Sequence, residues 1–287
     1  MQKPIKLFFT ILLFFSSLIT FSQVKLPYQI FDKNGKVVSY PKVIKQLEKS
    51  SIVLFGEYHD NSIIHWLQLE ITKELSLKKS LILGAEMIEA DNQKQLNQYL
   101  IGEINQKKLD STARLWPNYK TDYKPLVDFA KANAIPFIAT NVPRRFASLV
   151  FKQGYTALDQ LSDQEKLWVA TLPINYNPML PGYVKMVEEM GGHGGENLPK
   201  AQAVKDATMA HFILLNGKED SLFIHFNGTY HSDNFDGIYW YLKQAQPKKV
   251  VRTIATVTQE NVAVLEKENY YKADFIIVVD QDVTKTY

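Results

Sequence analysis

Six short, continuous runs of apolar residues are spread along the chain, and they constrain its fold more than any other feature. They are Ile52–Phe55, Leu81–Leu83, Phe137–Ala139, Leu222–Phe226, Val250–Ile254 and Phe275–Val279. Apolar and polar residues do not alternate within them, which is typical of parallel strands that helices cover on both faces. We therefore expect these runs to form a mostly parallel sheet.

Helical patterns lie between the runs. After the first run, apolar residues recur at spacings of three and four, as on one face of a helix, at Ile64, Leu67, Ile71 and Leu75. Three residues that can cap this helix precede it: Asp60, Asn61 and Ser62. Further helices are predicted over 91–100, 123–133 and 201–215, the last ended by Asn216-Gly217. Strands that alternate with helices in this way indicate an α/β fold.

The pattern changes between residues 146 and 199. This stretch has no convincing strand, contains four prolines and a cluster of glycines, and shows helical pieces over 146–153, 162–170 and 183–190. We predict a smaller helical insertion over 146–199 that caps the edge of the sheet. Residues 23–145 and 200–287 are then expected to form the α/β domain.

The N-terminal residues have the organisation of a secretory signal peptide. Lys3 and Lys6 precede an apolar stretch of 15 residues, and small residues at positions 20 and 22 suit a cleavage site. An uncleaved membrane anchor is the alternative, but the apolar stretch is shorter than the roughly 20 residues that span a bilayer. We predict cleavage after residue 22 and export to the periplasm or the medium.

The composition narrows the classes of function. The chain has no cysteine, so it has no disulfide, no thiolate metal ligand and no residue that could carry a lipoprotein anchor. Without Lys3 and Lys6, 31 of its 33 basic residues remain, against 30 acidic residues. This balance argues against a nucleic-acid partner, which usually requires a basic excess.

Polar residues follow four of the predicted strands. They are Glu57 and His59, then Glu86, then Asn141 and Arg144, and finally His231. Ligands of open α/β sheets bind outside the carboxyl ends of the strands. The sequence therefore predicts that these residues surround one pocket.

Two predicted helices add polar residues to the same edge, because their first turns lie there. His65 and Gln68 are three residues apart in the first helix, and Gln202, Asp206 and Met209 form one stripe of a later helix. Some of these polar residues also have a structural interpretation. Asp60 is more often a helix cap than a ligand, and Arg144 can form a salt bridge with Glu86. His225 is expected to be structural, and His211 is expected to lie on the surface of a helix.

With these residues in view, the sequence resembles the ChaN-like haem-binding family, which belongs to a superfamily with the Tiki metalloproteases and erythromycin-esterase-like enzymes. The resemblance runs from about residue 50 to 235. Its motifs are Phe55-Gly56-Glu57-Tyr58-His59-Asp60 with His65 and Gln68, Glu86-Met87, Asn141-Val142-Pro143-Arg144, Gln202 with Asp206 and Met209-Ala210, and Gly228 through His231.

The resemblance implies an α/β domain with a smaller helical domain, haem binding linked to iron uptake, and a dimer that holds two haems. It also implies contact with outer-membrane haem-uptake machinery. Members of the family are often lipoproteins, and the lack of cysteine departs from that pattern. A soluble exported form is expected instead.

Haem iron accepts His, Tyr or Met from a protein, and the insertion supplies Tyr176, Tyr183, Met186, Met190 and His193. By spacing, Tyr183, Met186 and Met190 share one helical face, which core packing also explains. His193 lies among four glycines, and Arg144 and Arg145 can pair with propionates. The predicted haem-binding residues are Tyr183, His193, Met190, Arg144, His65, Gln202 and Asp206.

A hydrolase is the alternative. Glu57, His59, Glu86 and His231 are a set of two histidines and two carboxylates, which can bind a divalent metal such as Zn or Mn and activate water. Without a metal, His59 beside Glu57 can act as a general base. A binding protein for another small ligand is the third possibility. Residues 256–287 show a last strand and no recognisable chemistry, and we expect a structural role for them.

Overall fold

The structure, a computed structural model, describes residues 25–191 and 195–287. Within these residues seven strands form one sheet. They are β1 (Tyr28–Asp32), β2 (Ile52–Glu57), β3 (Ser80–Glu89), β4 (Phe137–Asn141), β5 (Ser221–Gly228), β6 (Val251–Gln259) and β7 (Phe275–Asp280). Their order across the sheet is β1-β7-β6-β2-β5-β3-β4, and only the pairing of β1 with β7 is antiparallel. The prediction of a mostly parallel sheet flanked by helices is confirmed.

The described residues form ten α-helices. They are α1 (Tyr40–Leu47), α2 (Ser62–Ser76), α3 (Gln93–Leu100), α4 (Gln106–Thr112), α5 (Lys124–Ala132), α6 (Arg144–Gln153), α7 (Asp163–Lys166), α8 (Pro181–Glu189), α9 (Asn197–Asn216) and α10 (Ile238–Ala245). A π-helical turn over Tyr119–Tyr123 leads directly into α5. The segment 146–199 thus carries most of α6, then α7, α8 and the start of α9, and its description as a separate domain stays a prediction.

Strand β2 shows why the apolar runs are continuous. All six of its residues are buried. Successive side chains of a strand point to opposite faces of the sheet. Val53 and Phe55 accordingly pack in one hydrophobic cluster, and Ile52 and Leu54 pack in another on the opposite face. Apolar and polar residues do not alternate in this strand because helices cover both of its faces.

The carboxyl ends of the parallel strands meet at one edge of the sheet. Helix α2 begins at this edge directly after β2, and Asn61 caps it by accepting a hydrogen bond of 3.1 Å from the backbone N–H of Ile64. The C-terminal residues return to the same edge, where Lys285 forms an isolated antiparallel bridge with Asn61. The first loop after β2 and the end of the chain are therefore neighbours.

Some sequence predictions lie outside this description. The predicted signal peptide, 1–22, and His193 are not among the described residues. Strand β1 was not predicted, because its half-buried edge sequence, YQIFD, lacks a continuous apolar run. No helix of residues 25–191 and 195–287 is long and apolar enough to cross a membrane.

Candidate functional site

A cavity of about 770 Å³ opens at the carboxyl edge of the sheet. The loops after β2 and β5 form its floor, with residues 57–61 and 228–231. Met186, Glu189 and Met190 of the α8 region form one side, and Gln202 of α9 also contacts the cavity. The volume lies within the range of about 300–1,000 Å³ that is typical of small-molecule sites.

Glu57, at the end of β2, is the buried anchor of this floor. Its carboxylate is 1% exposed and accepts hydrogen bonds at Oε1 from His59 Nδ1 (2.7 Å) and from the Tyr123 hydroxyl (2.6 Å). Gln68 Nε2 donates to Oε2. Burial alone would raise the pKa of Glu57, but His59, His65 and Tyr123 hold it below its ordinary value. Glu57 is therefore ionised, and its oxygens are occupied by these donors.

His59 is held by Glu57 in one orientation. Burial alone would lower the pKa of His59, but its hydrogen bond to Glu57 and the nearby Glu86 carboxylate raise it above its ordinary value. Because Nδ1 carries the proton donated to Glu57, the other ring nitrogen, Nε2, is the atom available for chemistry. The side chain is 30% exposed and lines the cavity, and Trp116 packs edge-on against the ring at 4.8 Å between centroids.

Gly228, at the end of β5, packs closely against the His59 ring. A Cβ atom at this position would lie 2.8 Å from His59 Nε2 and 3.5 Å from Glu86 Oε2. Any side chain here would clash with the imidazole ring in its present position. Glycine is therefore required for His59 to keep this position.

His231 lies between two carboxylates. Its Nε2 is 3.1 Å from Glu86 Oε1, and its Nδ1 is hydrogen-bonded to Asp206 Oδ1. Burial alone would lower the pKa of His231, but Glu86 and Asp206 raise it to about 9. The pKa of Glu86 is in turn held well below its ordinary range by His231, despite its burial. At neutral pH this group is an imidazolium with both N–H groups engaged, so it holds β3, α9 and the loop after β5 together.

His65 and Gln68 lie behind the cavity in a buried polar layer. His65 Nε2 donates to the backbone oxygen of His59 at 3.0 Å, and Asn118 Nδ2 donates to the same oxygen at 3.1 Å. Asn118 also donates to Asp122 Oδ2 at 2.7 Å. His65 is thus a support for the backbone of His59 and does not line the cavity. Asn118 and Asp122, like Tyr123, were missed from the sequence.

The four residues of the metal alternative do not converge on one point. Glu57 and His59 bind each other, while Glu86 and His231 form a separate ion pair with Asp206. Among the described residues no group of three or more His, Asp or Glu side chains is arranged to hold a metal ion. The geometry does not support the prediction of a Zn or Mn site at Glu57, His59, Glu86 and His231.

Tyr183 is placed differently from its sequence interpretation. Its side chain is buried against α9 and donates a hydrogen bond of 2.8 Å to Asp206 Oδ2, whereas Met186 and Met190 line the cavity. The three side chains therefore do not contact one common ligand space. Burial and the Asp206 carboxylate raise the pKa of Tyr183 far above its ordinary value, so the phenol stays protonated. Tyr183 thus supports Asp206, and its position conflicts with a phenolate ligand to iron.

The other predicted site residues divide between the cavity and its surroundings. Gln202 lines the cavity with its side-chain amide 3.0 Å from His231 Nδ1, and half-exposed Met190 stands at the opening. Arg144 is exposed at the start of α6 and does not belong to the lining; Glu86 pairs with His231, not with Arg144. Asn141 is buried, outside the lining, and its Oδ1 has no partner among the described residues.

Two histidines and one methionine that we considered have packing roles. His225 is fully buried in β5, where it hydrogen-bonds Thr140 and Asn227, and burial lowers its pKa to about 4. His211 is half-buried on α9. Met209 belongs to the hydrophobic core and not to the polar stripe of Gln202 and Asp206.

The C-terminal residues form a wall of the cavity, a position that the sequence pattern of 256–287 did not indicate. Thr258, Asp280, Gln281, Val283, Lys285 and Tyr287 all belong to the lining. The rule that placed residues at the ends of the other parallel strands also applies to β7, which ends at Asp280. The last residues carry no such signal in the sequence.

The fold and site define a parallel α/β protein with a small-molecule cavity at the carboxyl edge of its sheet. A histidine that is hydrogen-bonded to a buried carboxylate lies in the floor of this cavity. The profile of the family described as "Haem-binding uptake, Tiki superfamily, ChaN" matches residues 43–242. The chain belongs to this family.

Solved structures agree with this fold. "Cofacial heme binding to ChaN of Campylobacter jejuni" is a similar structure, with a TM-score of 0.66 and 17% identity, over 88% of this chain and 97% of that chain. A Bacillus cereus protein has a TM-score of 0.51 and 13% identity, over 88% of this chain and 94% of that chain. At these identities the likeness concerns the fold alone.

A curated protein matches this chain over a shorter stretch. "Protein RETICULATA-RELATED 5, chloroplastic" of Arabidopsis thaliana is 28% identical over 130 residues, which is 42% of this chain. The chain spans 17% of the length of that relative.

Proposed function

We propose that this protein binds haem in the cavity at the carboxyl edge, with the iron facing His59 Nε2. The observation that carries the proposal is the position of His59: Glu57 holds its Nδ1, and its side chain is 30% exposed and belongs to the lining of the cavity. Membership of a family described as haem-binding supplies the ligand class. The similar Campylobacter jejuni protein, ChaN, binds haem cofacially, which supports the same class.

The residues around the cavity fit a haem. Histidine that binds a metal through one ring nitrogen usually donates its other N–H to a carboxylate or carbonyl, and His59 donates its Nδ1 hydrogen to Glu57. The side walls carry Met186, Met190 and Tyr230, which offer thioether and aromatic surface to a flat macrocycle. Haem, when bound, would supply a redox-active iron. The protein's own contribution is to orient the imidazole and to exclude water from one face.

Titration of the purified protein with haemin tests this proposal. We expect saturable binding with a Soret band that shifts or weakens in His59→Ala. His211→Ala is the matched control, because His211 is half-buried on α9 and outside the cavity lining. Absence of saturable binding by the unmodified protein would contradict the proposal. An identical spectrum in His59→Ala would reject His59 as the contact of the iron.

The same titration also tests Met190 and His193, which the sequence predicted as haem-binding residues. Met190 is half-exposed at the opening of the cavity and presents a second possible ligand atom. His193 follows it by three residues and is outside the described part of the chain. Met190→Leu and His193→Ala, each measured alone and with His59→Ala, separate these residues as iron ligands.

A second candidate function is acid/base hydrolysis, and the Glu57–His59 pair favours it. With Nδ1 hydrogen-bonded to an ionised carboxylate, an unprotonated Nε2 can take a proton from water beside a bound ester or amide. Hydrolysis of an ester library that is lost in both His59→Ala and Glu57→Gln would support this function. Inhibition of that activity by haemin would place both ligands in one cavity.

We also infer export and a role in haem or iron uptake. The basic start and apolar stretch of residues 1–22 support export, and the description of the family supports uptake. N-terminal sequencing of the protein from its native cells should begin at Gln23. Size-exclusion chromatography with and without haemin tests the predicted homodimer, and co-purification with membrane fractions tests the predicted uptake machinery.

A further inference from the structure

The last five residues of the chain build one wall of the cavity. Val283, Lys285 and Tyr287 belong to the lining. The match to the family profile ends at residue 242. This wall is therefore a feature of the chain beyond the region that defines its family.

Alternate residues of this wall face the cavity and the protein. The backbone oxygen of Thr284 accepts a hydrogen bond of 3.1 Å from Ser62 Oγ at the start of α2. The backbone N–H of Thr286 donates to the Asp60 oxygen at 2.9 Å. In an extended segment successive side chains point in opposite directions, so residues 283, 285 and 287 face the cavity while residue 286 faces the protein.

Thr286 connects the wall to the support of His59. Its hydroxyl donates to Asp122 Oδ2 at 2.9 Å, and Asp122 is 2% exposed. Asn118 donates both to Asp122 Oδ2 and to the backbone oxygen of His59. Since one buried carboxylate binds Thr286 and Asn118, the position of the wall is coupled to the floor of the cavity.

Lys285 gives this wall its charge. Among the described residues that line the cavity, it is the one lysine or arginine, whereas Glu57, Asp60, Glu189 and Asp280 are acidic. Lys285 Nζ lies 2.7 Å from Asp60 Oδ2, and its side chain is 70% exposed. An exposed pair of this kind exchanges partners at little cost. A ligand carboxylate would therefore find an exposed cation at the C-terminal wall, whereas the His231 imidazolium is already paired with Glu86 and Asp206.

We propose that residues Val283–Tyr287 are the specificity-determining wall of the cavity. In this proposal, which rests on haem as the ligand, Lys285 binds a propionate, Tyr287 covers the macrocycle and Thr286 holds the segment in place. The wall selects a flat ligand that carries acidic tails.

Equilibrium titrations with haemin and with its dimethyl ester, which lacks the propionate charges, test the role of Lys285. Lys285→Met should weaken haemin binding about two- to fivefold, as expected for the loss of an exposed ion pair, and leave binding of the ester unchanged. Lys267→Met, an exposed lysine outside the cavity, is the matched control. Tyr287→Ala should weaken both ligands about tenfold through lost apolar contact.

Dissociation rates test the role of Thr286. Thr286→Val removes the donor to Asp122 at nearly constant shape and should speed dissociation of both ligands, whereas Thr286→Ser keeps the hydroxyl and should restore the original rate. If the unmodified protein binds haemin while Lys285→Met and Thr286→Val behave as the original, the wall proposal is overturned. If the unmodified protein binds neither ligand, the proposed function fails, and the wall proposal fails with it.

Discussion

Gly228 lies against His59 so closely that a methyl group on the glycine would be 2.8 Å from Nε2. The two residues come from neighbouring parallel strands, since Glu57 of β2 is paired with Gly228 of β5. The imidazole thus follows the end of one strand, and the glycine at the end of the next strand lets the ring pack closely against the backbone. Substitutions at these strand ends are expected to change ligand access more than they change the fold.

Gly228→Ala should abolish or strongly weaken haem binding. The added methyl group meets His59 Nε2 at 2.8 Å and Cε1 at 3.0 Å, so the ring must turn away from its position. The cost in stability is expected to be about 1–3 kcal/mol, as for overpacking elsewhere. Haemin titration and urea denaturation measure the two effects.

Gly182→Ala is the control for this substitution. A Cβ at Gly182 meets Asp236 at an ordinary contact distance of 3.4 Å, and the residue lies outside the cavity lining. It should bind haemin as the original protein does. Equal binding by Gly228→Ala and Gly182→Ala would refute the idea that haem binding requires the His59 ring in its position against Gly228.

The ion pair of His231 with Glu86 and Asp206 should make stability depend on alkaline pH. The pKa of His231 is raised to about 9 from an ordinary 6.5, so the folded state binds this proton more tightly than the unfolded state. This contribution is complete below about pH 6.5, amounts to about 3 kcal/mol, and is lost as the pH rises through 9. Urea denaturation between pH 6 and 10 measures it.

His231→Gln removes this dependence and leaves two buried carboxylates without their cation. It should lower the free energy of unfolding by about 3–5 kcal/mol at pH 7. The difference from the original protein should narrow as the pH rises through 9. His211→Gln should keep the original pH dependence, and a constant difference across this range for His231→Gln would contradict the assignment.

Tyr123→Phe should lower the free energy of unfolding by about 1–2 kcal/mol at pH 7, because buried Glu57 loses one of its donors. The pKa of Glu57 is held low in the folded state, so its contribution is present above its ordinary pKa and is lost as the pH falls. The effect of Tyr123→Phe should therefore shrink in acid. Tyr155→Phe is the control, since the Tyr155 hydroxyl has no partner among the described residues. Equal effects of both substitutions would be inconsistent with this role of Tyr123.

The sequence predicted those parts of the molecule that depend on local pattern. Continuous apolar runs predicted strands β2 to β7, and the strand-end rule placed Glu57, His59 and His231 at one edge. The rule could not predict that His231 is enclosed by two carboxylates, because this depends on how α9 packs. The fold could be predicted more fully than the contacts within the site.

Two further differences between the predicted and the observed site have physical causes. Helical spacing groups Tyr183 with Met186 and Met190, but spacing does not reveal which neighbour each side chain of α8 contacts. Tyr183 donates a hydrogen bond to Asp206, whereas the two methionines line the cavity. The wall at 283–287 is held by backbone bonds and by one threonine. Such contacts leave no periodic signal in the sequence.

The most direct test of the account is a haemin titration of His59→Ala beside the original protein, followed by absorbance in the Soret region. The account predicts saturable binding by the original protein and a shifted or lost band in the variant, with His211→Ala unchanged. Indistinguishable spectra and affinities for all three proteins would contradict the central claim that the imidazole held by Glu57 faces the iron.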